Sequence, residues 1–262
     1  MSSTKVEEFR VEVPGGSLYA KKWTPESEST KSPLVLLHDS LGSVDLWRDV
    51  PATLAEHLSR SIVAYDRLGF GHSDARDGLP SDDFIEEEAI TYFPAVKEHL
   101  SLQNYVLLGY SVGGAMAINI AARDPDCRAV VTLSAQAFVE DRTLQGIRDA
   151  KRMFERPGQM ERLEKWHGPR AKWVLHAWTD VWLSAAYANW SLAPIIGSVR
   201  CPVLAIHGEN DEYGSSAFPR FIAENTGGGG SMLLIKNCGH IPHREKPRET
   251  IDAVKDFLAD IS

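Results

Sequence analysis

The chain has 262 residues, 43% hydrophobic and 24% charged, and its 28 basic against 36 acidic side chains give a net charge of −8 and a pI near 5.6. A chain this long buries roughly three quarters of its unfolded surface, so its core needs no disulfide or metal staple. The acidic balance argues against a nucleic-acid or anionic-membrane partner, since both demand a basic face, and no run of about 18 apolar residues offers a membrane span.

The opening MSSTKVEEFRVEV has no apolar stretch of signal-peptide length. Cys127, Cys201 and Cys238 are odd in number, far apart in sequence and without metal-site spacing. A reducing, cytoplasmic setting is expected. EEFRVEVP and SLYAKKWTP read as a hairpin turning at Pro14-Gly15-Gly16, and residues 26–32 as a polar loop. PLVLLHD (33–39) is an apolar run ended by polar residues, as in a strand covered on both faces. WRDVPATLAEHL (47–58) has helical spacing, SIVAYD (61–66) is a second buried strand, and the Gly-, Asp- and Ser-rich residues 67–83 are loop. FIEEEAITYFPAVKEHL (84–100) is helical with a kink at Pro94, NYVLLGY (104–110) is a strand, VGGAMAINIAARD (112–124) a helix and RAVVTLSA (128–135) a strand. Buried strands alternating with helices predict βαβ units in a parallel sheet, with the hairpin at one edge.

The rhythm breaks over 137–196, where helical text carries Trp166, Trp173, Trp178, Trp182 and Trp190, five of the seven tryptophans. It resumes with CPVLAIHGEN (201–210), a helix near 216–225, a turn at Gly227–Gly230, SMLLIKNCGH (231–240) and a last helix from about 247 to 260. The predicted organisation is an α/β core over 1–136 and 197–262, interrupted by a helical cap over 137–196.

Ser111 sits in Gly109-Tyr110-Ser111-Val112-Gly113, after a strand and before a helix. In that context a serine occupies the strained tip of a sharp turn, with its hydroxyl above the sheet and the helix N-terminus beneath it. Glycines two residues to either side avoid collisions. A neutral serine is a weak nucleophile that needs a base, and the base needs an orienting acid. Both belong in loops beyond the C-terminal ends of later strands. His207-Gly208-Glu209-Asn210-Asp211 and Cys238-Gly239-His240-Ile241-Pro242-His243 supply them, and the order Ser111, Asp211, His240 suits this fold. Glu209 is the alternative acid. His243 reads as a surface or capping residue, and His207 as a packed histidine. The oxyanion of an acyl-transfer intermediate would rest on the Val112 N–H and on an amide of the loop Leu37-His38-Asp39-Ser40-Leu41-Gly42, with Ser40 first and Leu41 second. His38 reads as a brace of that loop.

Taken together, LLHDSLGS (36–43), YDRLGFGHSD (65–74), GYSVGG (109–114), HGENDEYG (207–214) and CGHIPHREKP (238–247) resemble the α/β-hydrolase family with a single helical cap. The resemblance implies a mostly parallel eight-stranded sheet flanked by helices, with the cap inserted after strand 6. It implies Ser111 as nucleophile, His240 as base and Asp211 as orienting acid, and a structural loop over Asp66–Ser73. His38-Asp39 departs from the family's usual His-Gly, and the Asp39 carboxylate is expected to point away from the oxyanion. A serine in place of an aspartate disfavours dehalogenase and epoxide hydrolase chemistry.

The expected function is hydrolysis of a small to medium, fairly apolar carboxylic ester or lactone through an acyl-enzyme, without metal or organic cofactor. Leu41, Tyr110, Trp166, Trp178 and Trp182 are candidate pocket residues, although tryptophans four apart on one helix face suit plain packing equally well. Alternatives are carbon–carbon hydrolysis of ring-cleavage dienoates and a ligand-binding protein that turns over little. The expected partner is a small-molecule substrate, in a monomer or homodimer.

Overall fold

The first two strands, β1 (Lys5–Val13) and β2 (Gly16–Thr24), form an antiparallel hairpin whose last pair, Val13 with Gly16, leaves only Pro14 and Gly15 in the turn. Gly15 takes φ +89°, a region that favours glycine. The structure, a computed structural model, describes residues 4–26 and 30–261, so residues 27–29 of the predicted polar loop lie outside the described residues.

The apolar runs become β3 (Leu34–Leu37), β4 (Ile62–Tyr65), β5 (Tyr105–Tyr110), β6 (Cys127–Leu133), β7 (Val203–Gly208) and β8 (Gly230–Ile235). The eight strands form one sheet in the order β1-β2-β4-β3-β5-β6-β7-β8. Only β2 runs antiparallel to its neighbours, and every pairing from β4 through β8 is parallel. β7 and β8 end earlier than 210 and 240. The chain leaves extended geometry near Asn237, whose φ is +51°, so the residues that matter for chemistry stand on loops.

Alternation along each strand divides the core. Val35, Leu37, Val63 and Leu107 face one side, while Leu34, Leu36, Ile62 and Val106 face the other. The second face is covered by α1 (Val50–Leu58) and, near the C-terminus, by the helix over Pro247–Phe257. The region 84–99 divides into α2 (Phe84–Glu87), a π turn (Glu88–Tyr92) and α3 (Phe93–His99). The predicted kink is therefore a widened turn immediately before Pro94, where a proline ring would collide with the carbonyl four residues back in a regular helix. With α3, the helix α4 (Val112–Ala121) covers the first face.

Between β6 and β7 lie α5 (Asp141–Phe154), α6 (Gln159–His167) and α7 (Ala171–Trp182). The ends of this insert meet: Phe138 bridges Ser191, and the Leu192 N–H donates to the Ala137 carbonyl at 2.8 Å. His167 ties α6 to the core, accepting the Gly71 N–H at 3.0 Å on Nδ1 and donating from Nε2 to the Leu41 carbonyl at 2.9 Å. Trp173 packs on Phe70 and donates to the Gly78 carbonyl, and Trp190 stacks on Tyr187. The fold closes with α8 (Ala217–Asn225), α9 (Pro242–Glu245) and α10 (Pro247–Phe257). Cys127 and Cys201, distant in sequence, are free thiols whose sulfurs meet at 3.9 Å, Cys201 Sγ donating to Cys127 Sγ. Among the described residues no helix is long and apolar enough to cross a membrane.

Candidate active site

Ser111 stands between β5 and α4 with φ +55° and ψ −125°, a strained conformation for a residue with a side chain. The flanking glycines make it feasible. A Cβ on Gly109 would lie 2.1 Å from the Gly113 carbonyl oxygen, and one on Gly113 would lie 2.2 Å from that of Leu37. The Ser111 N–H is held by the Leu133 carbonyl at 2.8 Å, which pins the turn to β6.

Asp211 follows β7 and His240 follows β8. Their loops touch so closely that a Cβ on Gly208 would meet the Gly239 carbonyl at 2.0 Å. The Asn210 N–H donates to the Cys238 carbonyl at 2.8 Å, locking one loop to the other. His240 Nε2 is 3.0 Å from Ser111 Oγ, and its Nδ1 is 2.9 Å and 2.8 Å from the two Asp211 carboxylate oxygens. The structure thus brings Ser111, His240 and Asp211 into one hydrogen-bonded chain. Glu209 is exposed and its carboxylate faces the Asn237 N–H, away from His240.

Asp211 is fully buried, which alone would raise its pKa. The charge and hydrogen bond of His240, then His207 and the Tyr213 N–H at 2.7 Å, outweigh burial and hold the carboxyl below its ordinary value. For His240 burial works toward a lower pKa, but Asp211, by charge and hydrogen bond, with Glu212 and Asp39 adding to it, turns the net shift upward. His207 Nε2 lies 3.2 Å from Asp211 Oδ2 and donates to the Gly214 carbonyl at 3.4 Å, and burial lowers its pKa.

In the loop after β3, the Leu41 N–H is taken by the Asp39 carboxylate at 3.3 Å and the Gly42 N–H by the Asp39 carbonyl at 3.2 Å. The Ser40 N–H has no such acceptor among the described residues. Val112 opens α4, where the first N–H groups of a helix lack partners. His38 is buried and held neutral by burial and by Arg67. Its Nε2 accepts the Arg67 N–H at 3.2 Å, and its Nδ1 donates to the Asp39 carbonyl at 2.8 Å. The Arg67 guanidinium also donates to the Asp39 carbonyl, at 2.8 Å, so the loop is braced from behind.

A cavity of about 220 Å³ opens over Ser111 and His240. Ser40, Leu41, Tyr110, Trp178 and Trp182 line it, and α5 contributes Ile147, Ala150 and Phe154. Three expectations change. Trp166 does not reach this cavity; it sits on α6, beside an adjoining one. Asp39, expected to point away from the oxyanion, lines this cavity, and its carboxylate accepts the Leu41 N–H. His243 is buried, wedged between Tyr110 at 4.7 Å and Trp47 at 5.2 Å, and burial pushes its pKa down to about 3.

Two contributors lay outside the sequence expectations. Glu245 at the end of α9 accepts the Gly239 N–H at 2.7 Å and the Ile241 N–H at 3.0 Å, gripping the amides on both sides of His240. Gln136, just past β6, places its carboxamide nitrogen 3.3 Å from Ser111 Oγ. Its signal was a polar residue at the C-terminal edge of a buried strand.

Residues 34–253 match the family model described as the alpha/beta hydrolase family. The chain is 25% identical to a proline iminopeptidase of Lactobacillus crispatus, over 88% of this chain and 91% of that protein. It is 32% identical to the human serine hydrolase BPHL, over 76% of this chain and 69% of that one. Its fold is similar to that of the enol-lactonase from Burkholderia xenovorans LB400, with a TM-score of 0.71 at 21% identity, covering 96% of this chain and all (100%) of that one. It is likewise similar to the proline iminopeptidase of Mycobacterium smegmatis, with a TM-score of 0.72 at 20% identity over 97% and 98% of the two chains. With the family match spanning most of the chain and the sheet order above, this protein belongs to the alpha/beta hydrolase family.

Proposed function

We propose that the protein is a serine hydrolase of small to medium, fairly apolar carboxylic esters or lactones. The observation that carries this reading is the continuous Asp211–His240–Ser111 hydrogen-bonded chain at the floor of a largely apolar cavity. Ser111 Oγ attacks the carbonyl carbon while His240 Nε2 takes its proton. Asp211 holds the imidazole by Nδ1–H and stabilises the imidazolium. The oxyanion rests on the N–H groups of Val112 and Ser40. His240 then protonates the departing alkoxide, leaving an acyl group on Ser111. A water deprotonated by His240 attacks that acyl group, the acid leaves, and the proton returns to Ser111.

The insert over 137–196 acts as the cap that shapes the acyl site through α5 and α7. Names of the similar proteins include esterase, lactonase and peptidase activities. The apolar walls favour the neutral esters and lactones among these. Turnover of a panel of p-nitrophenyl esters and lactones, in parallel with Ser111→Ala, tests the reading. Turnover that falls by roughly 10³-fold or more in the variant supports it. Tight ligand binding without Ser111-dependent turnover would instead make the protein a binder.

A further inference from the structure

A second cavity of about 240 Å³ adjoins the catalytic one, and the two share Asp39, Leu41, Tyr110, Phe154 and Ile241. Its outer wall is one face of α6, where Gln159, Arg162, Leu163 and Trp166 recur at helical spacing. The linings differ in charge. The catalytic cavity carries Asp39 and Glu212 with no lysine or arginine, whereas the second carries Arg162 and Arg244 against the shared Asp39 alone. Two arginines on one small cavity run against the charge of a chain at −8. Arg244 is anchored by the Leu46 carbonyl, and Arg162 has no carboxylate partner among the described residues.

Resting on the hydrolase reading above, we propose that this second cavity is the leaving-group site and takes a flat alcohol portion that ends in a carboxylate. The acyl group stays bonded to Ser111, which lines only the catalytic cavity. The alcohol must leave, and the second cavity opens more widely to solvent. When the ester C–O bond breaks and the Ser111 Oγ–acyl bond forms, the proton from Ser111 passes through His240 to the departing oxygen. Tyr110 and Ile241, the sequence neighbours of Ser111 and His240, stand where the cavities join. Asp39 repels an anion at that inner end. The carboxylate is therefore directed outward to the guanidiniums of Arg162 and Arg244, whose forked donors match it. Trp166, Leu163 and Phe154 offer apolar surface to the ring between.

The test compares 4-carboxyphenyl butyrate with its neutral 4-carbamoylphenyl counterpart in the parent protein, Arg162→Glu and Arg244→Glu. The parent is expected to favour the anionic ester roughly tenfold in kcat/KM, through KM and less so at high salt. Each charge reversal is expected to abolish or invert that ratio. A parent that treats the two esters alike, or a preference that survives both reversals, overturns the proposal. So does a preference for phenyl hydrogen succinate over phenyl butyrate, which would place the anion on the acyl side. Binding of 4-hydroxybenzoate against 4-hydroxybenzamide to Ser111→Ala protein reads the same preference without turnover, and equal affinity also overturns it. Failure of both esters to turn over while 4-hydroxybenzoate binds preferentially would fault the hydrolase reading alone.

Discussion

At the scale of single residues, the site depends on a few atoms that are costly to move. Ser111 holds a positive φ because Gly109 and Gly113 leave space for backbone oxygens that any side chain would strike. In the proposed mechanism Ser111→Ala removes the nucleophile, and kcat for an ester substrate is expected to fall by roughly 10³–10⁶-fold in steady-state assays. His240 acts as a base only when neutral, and its pKa is raised, with Asp211 overcoming the effect of burial. The rate kcat/KM therefore rises with pH through an acid limb set by the free-enzyme His240. Asp211→Asn removes the charge that lifts this limb. A pH–rate profile of the variant is expected to show the limb at lower pH and a plateau reduced on the order of 10⁴-fold. A limb that stays in place would mean that another group sets it.

At the scale of elements, the buried strands were the most legible part of the sequence. LVLL, IVAY and YVLLGY have no polar break, so they could only be central strands of a sheet covered on both faces. The grouping of Ser111, Asp211 and His240 was legible because each lies in the loop beyond a strand, Ser111 directly after β5, Asp211 three residues past β7 and His240 five residues past β8. The lining of the cavity was less so. Trp166 and Trp182 look alike in sequence, yet the break between α6 and α7 at Gly168-Pro169 directs them to different cavities. Glu245 was invisible because its work is to accept two backbone N–H groups across a turn, which leaves no periodic trace. A Cβ at Gly113 would meet the Leu37 and His38 carbonyls of the adjoining loop at 2.2 and 2.7 Å, where only backbone can give way. Gly113→Ala is expected to cost at least about 2 kcal/mol, read as a lower urea midpoint at unchanged slope.

At the scale of the molecule, the sheet is a rigid floor and α5–α7 form the roof, tied down where His167 spans Leu41 and Gly71. Removing that tie with His167→Ala is expected to raise KM more than it lowers kcat, because the same histidine braces the loop carrying Ser40. One buried carboxyl sets a pH dependence of stability for the whole fold. Glu88 accepts the Tyr65 hydroxyl proton at 2.6 Å, and burial raises its pKa from 4.5 to about 7. A carboxyl that binds its proton more tightly when folded stabilises the fold below pH 4.5 and loses that contribution as pH rises toward 7. Between those limits the stability of Glu88→Gln relative to the parent is expected to rise by up to about 3 kcal/mol, measured by urea unfolding at each pH.

The account rests on an activated serine at one position, and labelling by a fluorophosphonate probe reads that directly. The parent protein is expected to take up one probe per chain, with labelling absent in Ser111→Ala and strongly slowed in His240→Ala. Labelling that persists in Ser111→Ala, or a folded parent that takes up none, would contradict it.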